Sequence, residues 1–234
     1  MKHYRTLLFD IDDTLLDFRA AEQAALALLF AEQNMQLTDE IKERYKQINQ
    51  RLWSEFEEGR ITREEVVNSR FSLLFQEYGY SVDGTVLEAK YRGYLEEGHQ
   101  LIEGALELVM GLQPHYDLYI VTNGVSKTQY KRLLDSNLHA LFKGIFVSED
   151  TGFQKPMKEF FDYVFVRIPH FNAEEALIIG DSLNADIKGG QQAGIDTCWF
   201  NPGMKLNKAG IEPTYQIQAL AELSQILVRE KEPV

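Results

Sequence analysis

Apolar positions along this chain follow two rhythms. The first is a set of short, nearly unbroken runs: Thr6-Leu7-Leu8-Phe9, Asp117-Leu118-Tyr119-Ile120-Val121, Gly144-Ile145-Phe146-Val147, Ala176-Leu177-Ile178-Ile179-Gly180 and Ile195 to Phe200. Runs of this length read as strands buried on both faces, which suits a parallel sheet. The second rhythm has steps of three and four, the period of an amphipathic helix. It fills nearly everything from Asp17 to about Glu97. Asp17 can cap a helix from Phe18 to Phe30. Thr38 can open a segment carrying Ile41, Tyr45, Ile48, Leu52 and Phe56, which Gly59 ends. Thr62-Arg63-Glu64-Glu65 is a capping box ahead of Val66, Val67, Phe71, Leu74 and Phe75. A fourth helix, from about Gly84 to Glu97, carries Val86, Leu87, Tyr91 and Tyr94.

The first strand is thus followed by about eighty helical residues before the second. A strand–helix–strand crossover needs only about a dozen, so the surplus predicts a second lobe. The expected architecture is α/β: a Rossmann-like, doubly wound parallel sheet from residues 1–16 and 100–234, with an inserted all-helical domain over 17–99. In the sheet domain, Ala105 to Leu112 reads as a helix stopped near Pro114. Ser126-Lys127-Thr128-Gln129 reads as a further capping box, before Tyr130, Leu133 and Leu134. Ser148 to Gln154 reads as a polar loop. Pro156 suits the first turn of a helix carrying Phe160, Phe161, Val164 and Phe165. Asp186 begins another helix, ended by Gly194, and Leu220, Leu223, Ile226 and Leu227 mark a tail helix.

Composition narrows the partners. Across 234 residues, 44% hydrophobic and 26% charged content is that of an ordinary soluble globular protein. A net charge of −12 argues against a nucleic-acid polymer or an anionic membrane as partner. A small phosphate ester is still compatible, because one metal ion and one lysine reverse a local field. The single cysteine, Cys198, excludes an intrachain disulfide and reads as a packed core thiol. The five histidines lack metal-ligand spacing. No signal peptide is read at the start and no apolar run nears membrane-spanning length, so the expected location is the cytoplasm. Monomer and homodimer are both open.

The chemistry is concentrated where the strands end. The first strand runs straight into Asp10, with Asp12 two residues on and Thr14 two after that. An acid there would lie where open α/β sheets bind ligands. Asp10 can attack phosphorus and form an aspartyl-phosphate. Asp12 can protonate the leaving oxygen and then deprotonate the water that clears the intermediate. Two anions facing a phosphate need a cation, and oxygen ligands suggest Mg²⁺. Read alone, Asp-x-Asp fits a solvated acidic turn as well. Thr122 and Asn123, with the amides opening the next helix, can hold phosphate oxygens, although a capped strand-to-helix turn would look the same. In a doubly wound sheet Asp181, at the end of the fourth strand, converges on Asp10. Asp186 would then stand behind the metal ligands, orienting Lys155 or the ion's waters.

Taken together, Asp10-Ile11-Asp12-Asp13-Thr14, Val121-Thr122-Asn123, Lys155-Pro156 and Gly180-Asp181-Ser182-Leu183-Asn184-Ala185-Asp186 resemble, in this order, the four signature motifs of the haloacid-dehalogenase-like (HAD) hydrolases. The resemblance covers nearly the whole chain. It implies a Mg²⁺-dependent phosphomonoesterase with Asp10, Asp12 and Lys155 catalytic, Thr122, Asn123 and Lys155 on the phosphate, and Asp10, Asp12 and Asp181 on the metal. It also implies that the helical insertion is a cap.

Within that superfamily, the likeness is to the noncanonical pyrimidine nucleotidases, which are nucleotide 5′-monophosphatases. Ile178-Ile179-Gly180-Asp181-Ser182, Asp186-Ile187-Lys188-Gly189-Gly190 and Ala193 to Trp199 carry it in the core. Leu52-Trp53, Gly59-Arg60-Ile61-Thr62 and Arg70-Phe71 carry it in the helical lobe. The implied partner is a small phosphorylated metabolite, a pyrimidine nucleoside monophosphate. Phe18 and Trp53 are candidate substrate contacts, while Phe56, on the apolar stripe, reads as core. The alternatives are a sugar-phosphate phosphatase or a phosphomutase on the same scaffold. A haloacid dehalogenase, with little use for acids at 12 and 181, and a non-enzymatic binding module rank below these.

Overall fold

The computed structural model describes residues 2–207 and 209–227. The chain divides into two compact units, Met1–Asp17 with His99–Val234, and Phe18–Gly98. Among the described residues no helix is long and apolar enough to cross a membrane.

The second unit is four helices, α1 (Phe18–Glu32), α2 (Asp39–Glu57), α3 (Arg63–Glu77) and α4 (Gly84–Leu95). The starts of α2, α3 and α4 are set by side chains that satisfy first-turn amides. Thr38 accepts from the Ile41 amide at 3.3 Å, and Asp83 from those of Thr85 and Val86 at 2.9 and 3.3 Å. Thr62 and Glu65 form the reciprocal box, at 3.2 and 2.7 Å. The inward stripes meet in one core of Leu29, Tyr45, Leu52, Phe56, Phe71, Leu74 and Tyr91. Burying each large apolar side chain contributes about 1.5–3 kcal/mol. Val86 departs from the expected stripe and is exposed. Leu87, Tyr91 and Leu95, spaced by four, form the buried face of α4, and Val86 lies a third of a turn away. The core also holds a charge. Arg70 of α3 forks onto Glu88 of α4 at 2.9 and 2.8 Å and donates to Asn49 of α2 at 3.1 Å. Matched fork to carboxylate, the pair fixes how three helices meet.

The first unit is one sheet of six parallel strands. These are β1 (Thr6–Phe9), β2 (Asp117–Thr122), β3 (Gly144–Val147), β4 (Ala176–Gly180), β5 (Asp196–Phe200) and β6 (Tyr215–Ile217), in the order β3-β2-β1-β4-β5-β6. This is the doubly wound α/β arrangement expected, with its switch point between β1 and β4. The unexpected β6 is three residues long, too short for an alternation signal, and exists through its pairing with β5. Alternation along β1 sends Leu7 and Phe9 to one face and Leu8 to the other. Leu7 and Phe9 pack with Val109 of α5 (Ala105–Leu112) and Leu133 of α6 (Ser126–Asp135). Beyond β3 come a short turn of helix, α7 (Ser148–Thr151), where a loop was expected, and then α8 (Lys158–Phe165). Leu8 packs against Phe160, Phe161 and Val164 of α8. Cys198 is fully buried in β5, and burial pushes its thiol up to about 12. The short helices α9 (Gly189–Gln192) and α10 (Leu223–Ile226) complete the unit.

Three local expectations are corrected. Pro156 precedes α8 instead of lying in its first turn, because the helix starts at Lys158 behind Met157. The segment with Asp186 is a π-helical turn, Leu183–Lys188, capped by Ser182 and running into α9. Ser126 to Gln129 form no capping box. Helix α6 begins at Ser126, whose hydroxyl donates to Asp150 at 2.9 Å, and Gln129 turns into the interior. Leu134, on the same helix, faces outward.

Candidate active site

The parallel sheet places the ends of β1, β2 and β4 side by side. The Asp10 amide donates to Ile179 O at 2.9 Å, so the first residue past β1 is tied to the end of β4. The chain then folds back at once. Leu15 and Leu16 donate to Ile11 O at 2.8 and 2.9 Å, and Asp13 takes a left-handed φ of 56°, which a short polar side chain tolerates.

Lys155 is the centre of the site. The residue is 1% exposed, and its ammonium donates to Asp10 at 2.7 Å, Asp186 at 2.6 Å and Val121 O at 2.7 Å. Burial alone would lower its pKa. The two carboxylates outweigh burial and hold it well above the ordinary lysine range. Burial likewise raises the Asp10 carboxyl well above the usual carboxylate range, opposed by Lys155 and reinforced by Asp186 and Asp12. Asp181 is pushed up to about 6, first by burial, against the pull of Lys205.

Asp10, Asp181 and Asp186 bring carboxylate oxygens within 4.8 Å of one another, the one such group of acids, cysteines or histidines among the described residues. Asp12 is not a member. Of the three residues expected on a metal, the fold gathers the carboxylates of Asp10 and Asp181, and that of Asp186 joins them. The Asp12 carboxylate is instead held by Gln129 at 2.7 Å and Arg132 at 2.5 Å. The gathered donors are hard oxygen ligands carrying anionic charge, which fits a Mg²⁺ ion. Gly180 makes this packing possible, because a Cβ there would stand 2.1 Å from the Asp186 carboxylate. Asp186 also caps its own turn, accepting from the Ser182 amide at 3.0 Å. Trp199 fixes the main chain at Asp181 by donating to its carbonyl at 2.9 Å.

Thr122 and Asn123 lie beside this group with their side chains engaged. Thr122 accepts from Gly124 N at 3.2 Å and Gln129 at 2.9 Å. Asn123 clasps the backbone of Lys155, donating to its carbonyl at 2.8 Å and accepting from its amide at 2.9 Å. Its side chain therefore positions Lys155. At the start of α6, the Ser126 amide is taken by Glu149 at 2.6 Å. Phe18 and Trp53 belong to the helical unit, both partly buried against its core, with Trp53 edge-on to Phe56.

Three residues of the site escaped the sequence reading. Gln129 and Arg132 are one helical turn apart on α6, a spacing shared with any helix face. Lys205 reaches Asp181 at 3.0 Å from a loop whose backbone Asn201 clasps at 3.1 and 2.8 Å. The one available signal was two long polar side chains on a helix directly after Thr122-Asn123.

This chain is similar to known proteins along nearly its whole length. The family model described as haloacid dehalogenase-like hydrolase matches residues 7–200. The HAD-hydrolase YfnB of Bacillus subtilis (strain 168) is 68% identical across 97% of this chain and 97% of its own. Its crystal structure bound to magnesium superposes with a TM-score of 0.94, covering 97% of this chain and 99% of that one at 67% identity. The pyrimidine 5′-nucleotidase PynA of Streptococcus pneumoniae (strain ATCC BAA-255 / R6) is 41% identical over 96% of this chain and 95% of its own. The pyrimidine 5′-nucleotidase YjjG of Escherichia coli (strain K12) is 30% identical over 95% and 97%.

Proposed function

Taking as premise that this chain belongs to the haloacid dehalogenase-like hydrolase family, we propose that it is a Mg²⁺-dependent phosphomonoesterase. It acts through an aspartyl-phosphate on Asp10, and its substrates are pyrimidine nucleoside 5′-monophosphates. The observation that carries this reading is one buried lysine tying Asp10 to Asp186 beside a group of three carboxylates. A dehalogenase attacking carbon without metal has little use for acids at positions 12 and 181. The substrate class is supported by the names of PynA and YjjG.

In this reading Asp10 supplies the attacking oxygen. Lys155 neutralises it and draws negative charge from the phosphoryl group. Asn123 keeps Lys155 in place through its main chain, and the Thr122 hydroxyl orients the phosphate. Asp12 moves the proton to the leaving oxygen and takes one from the incoming water. Asp10, Asp181 and Asp186 would hold the Mg²⁺ ion, which when bound offsets the charge of the phosphate and of the acids around it. The helical unit selects the substrate, with Phe18 and Trp53 as proposed aromatic contacts.

The test is phosphate release from a panel of pyrimidine and purine nucleotides, sugar phosphates and an aryl phosphate, in Mg²⁺ and in EDTA. Release that needs Mg²⁺ and favours pyrimidine nucleotides is expected, and Asp10→Asn should abolish it while leaving the fold intact. Preference for sugar phosphates would discard the nucleotide assignment. Phosphate moved between sugar positions without release would indicate a mutase.

A further inference from the structure

Asp12 must hand over and recover a proton in this reaction, and α6 grips it at both oxygens. Arg132 Nη1 donates to Asp12 Oδ1 at 2.5 Å and Gln129 Nε2 to Oδ2 at 2.7 Å. The same Gln129 amide nitrogen donates to Thr122 Oγ1 at 2.9 Å, and its carbonyl accepts from Arg132 Nη1 at 3.1 Å. Both side chains are buried, at 1% and 0% exposure. Burying an amide and a guanidinium is costly unless they are engaged, and Asp12 and Thr122 engage them. Room for this is kept at Gly124, where a Cβ would stand 2.4 Å from Gln129 Nε2.

We propose that Gln129 and Arg132 are the positioning residues of the acid–base step, aiming Asp12 at the leaving oxygen and tying it to the phosphate-orienting hydroxyl of Thr122. This rests on the phosphatase reading above. Each Asp12 oxygen accepts one of these bonds and keeps a second lone pair. The carboxyl can therefore carry a proton without releasing the helix. In the first half-reaction an Asp10 oxygen bonds to phosphorus. The bond from phosphorus to the leaving oxygen breaks, its electron pair stays on that oxygen, and the Asp12 proton goes there. In the second, Asp12 takes a proton from water as the water oxygen bonds to phosphorus. The Asp10–phosphorus bond then breaks, freeing inorganic phosphate and restoring both acids.

A leaving-group comparison separates this role from a merely structural one. A nucleoside alkoxide needs a proton to depart, whereas 4-nitrophenolate does not. The parameter kcat/KM covers only the steps up to that departure. We would measure it for a pyrimidine nucleoside 5′-monophosphate and for 4-nitrophenyl phosphate in wild type, Arg132→Met, Arg132→Lys and Gln129→Leu, with Asp12→Asn as the benchmark. Arg132→Met and Gln129→Leu should lose about 10²-fold on the nucleotide and about threefold or less on the aryl ester. Arg132→Lys should recover part of the difference. The ratio of the two values does not depend on how much of a variant is folded. A ratio at the wild-type value in both variants, whatever the absolute rates, overturns the proposal. Wild-type enzyme that releases phosphate from neither ester overturns the phosphatase reading itself, and this role with it.

Discussion

Lys155→Met tests the electrostatic centre of the site. Methionine fills nearly the same space but removes the charge shared by Asp10 and Asp186, which are 8% and 1% exposed. Two buried carboxylates without a cation cannot both stay ionised, so the variant holds on this pair a proton that the Lys155 charge otherwise helps to keep off. Drawing it from solution at pH 7 onto a group with an ordinary pKa near 3.9 costs about 4 kcal/mol. That agrees with the roughly 3–5 kcal/mol seen when one partner of a buried ion pair is removed. At pH 5 the same proton costs only about 1.5 kcal/mol, so the destabilisation should shrink as pH falls. The chain has two tryptophans, Trp53 in α2 and Trp199 in β5. In a Trp53→Phe background, Trp199 fluorescence reports the α/β unit. Urea unfolding in EDTA at the two pH values gives the two differences. A variant as stable as wild type at pH 7, or a loss equal at both pH values, would refute the reasoning. Adding Asp186→Asn should restore much of the loss, since one stranded carboxylate is then gone.

Asp181 predicts a second pH dependence. Its carboxyl rises from 3.8 to about 6 in the folded protein, so the fold holds that proton more tightly than the unfolded chain does. The stability linked to it is present below about pH 4 and lost as pH rises through 6. Relative to Asp181→Asn, metal-free wild type should therefore weaken by up to about 3 kcal/mol between pH 4 and 7; a flat difference in urea titrations would contradict it. Trp53→Ala should weaken nucleotide substrates more than a small non-aromatic phosphate ester, by up to the 1–3 kcal/mol that base stacking is worth; equal losses in KM and kcat on both would count against stacking. Thr62→Ala removes the α3 capping box and should cost the helical unit about 1 kcal/mol, read from Trp53 fluorescence in urea. An unchanged midpoint would show that the cap bond is inert.

Local patterns were legible because they act over a few residues. The run Thr6 to Phe9 was enough to read a strand, since strand alternation and burial are set by near neighbours. Thr38 and Thr62 announced helix starts because a cap needs only the next three amides. The same rule misread Ser126 to Gln129. Its spacing satisfies a capping box, but Gln129 finds stronger partners in Asp12 and Thr122, 117 and 7 residues away. Val86 was misassigned because an apolar residue at the edge of a stripe can fall on either side of it.

The sequence by itself determined the α/β class, the separate helical stretch, and the acids and lysine on which the proposed reaction rests. Those follow from residue type and short-range order. Only the tertiary structure decided which of these groups touch. It seated Lys155 between Asp10, 145 residues away, and Asp186, 31 residues away. It assigned Asp186 to the carboxylate group and gave Asp12 to α6. It also turned the Asn123 side chain to the lysine backbone. Such choices depend on the strand order and on which buried charge reaches a partner first. A buried polar group is stable only when paired, and the partner comes from wherever the fold brings the chain.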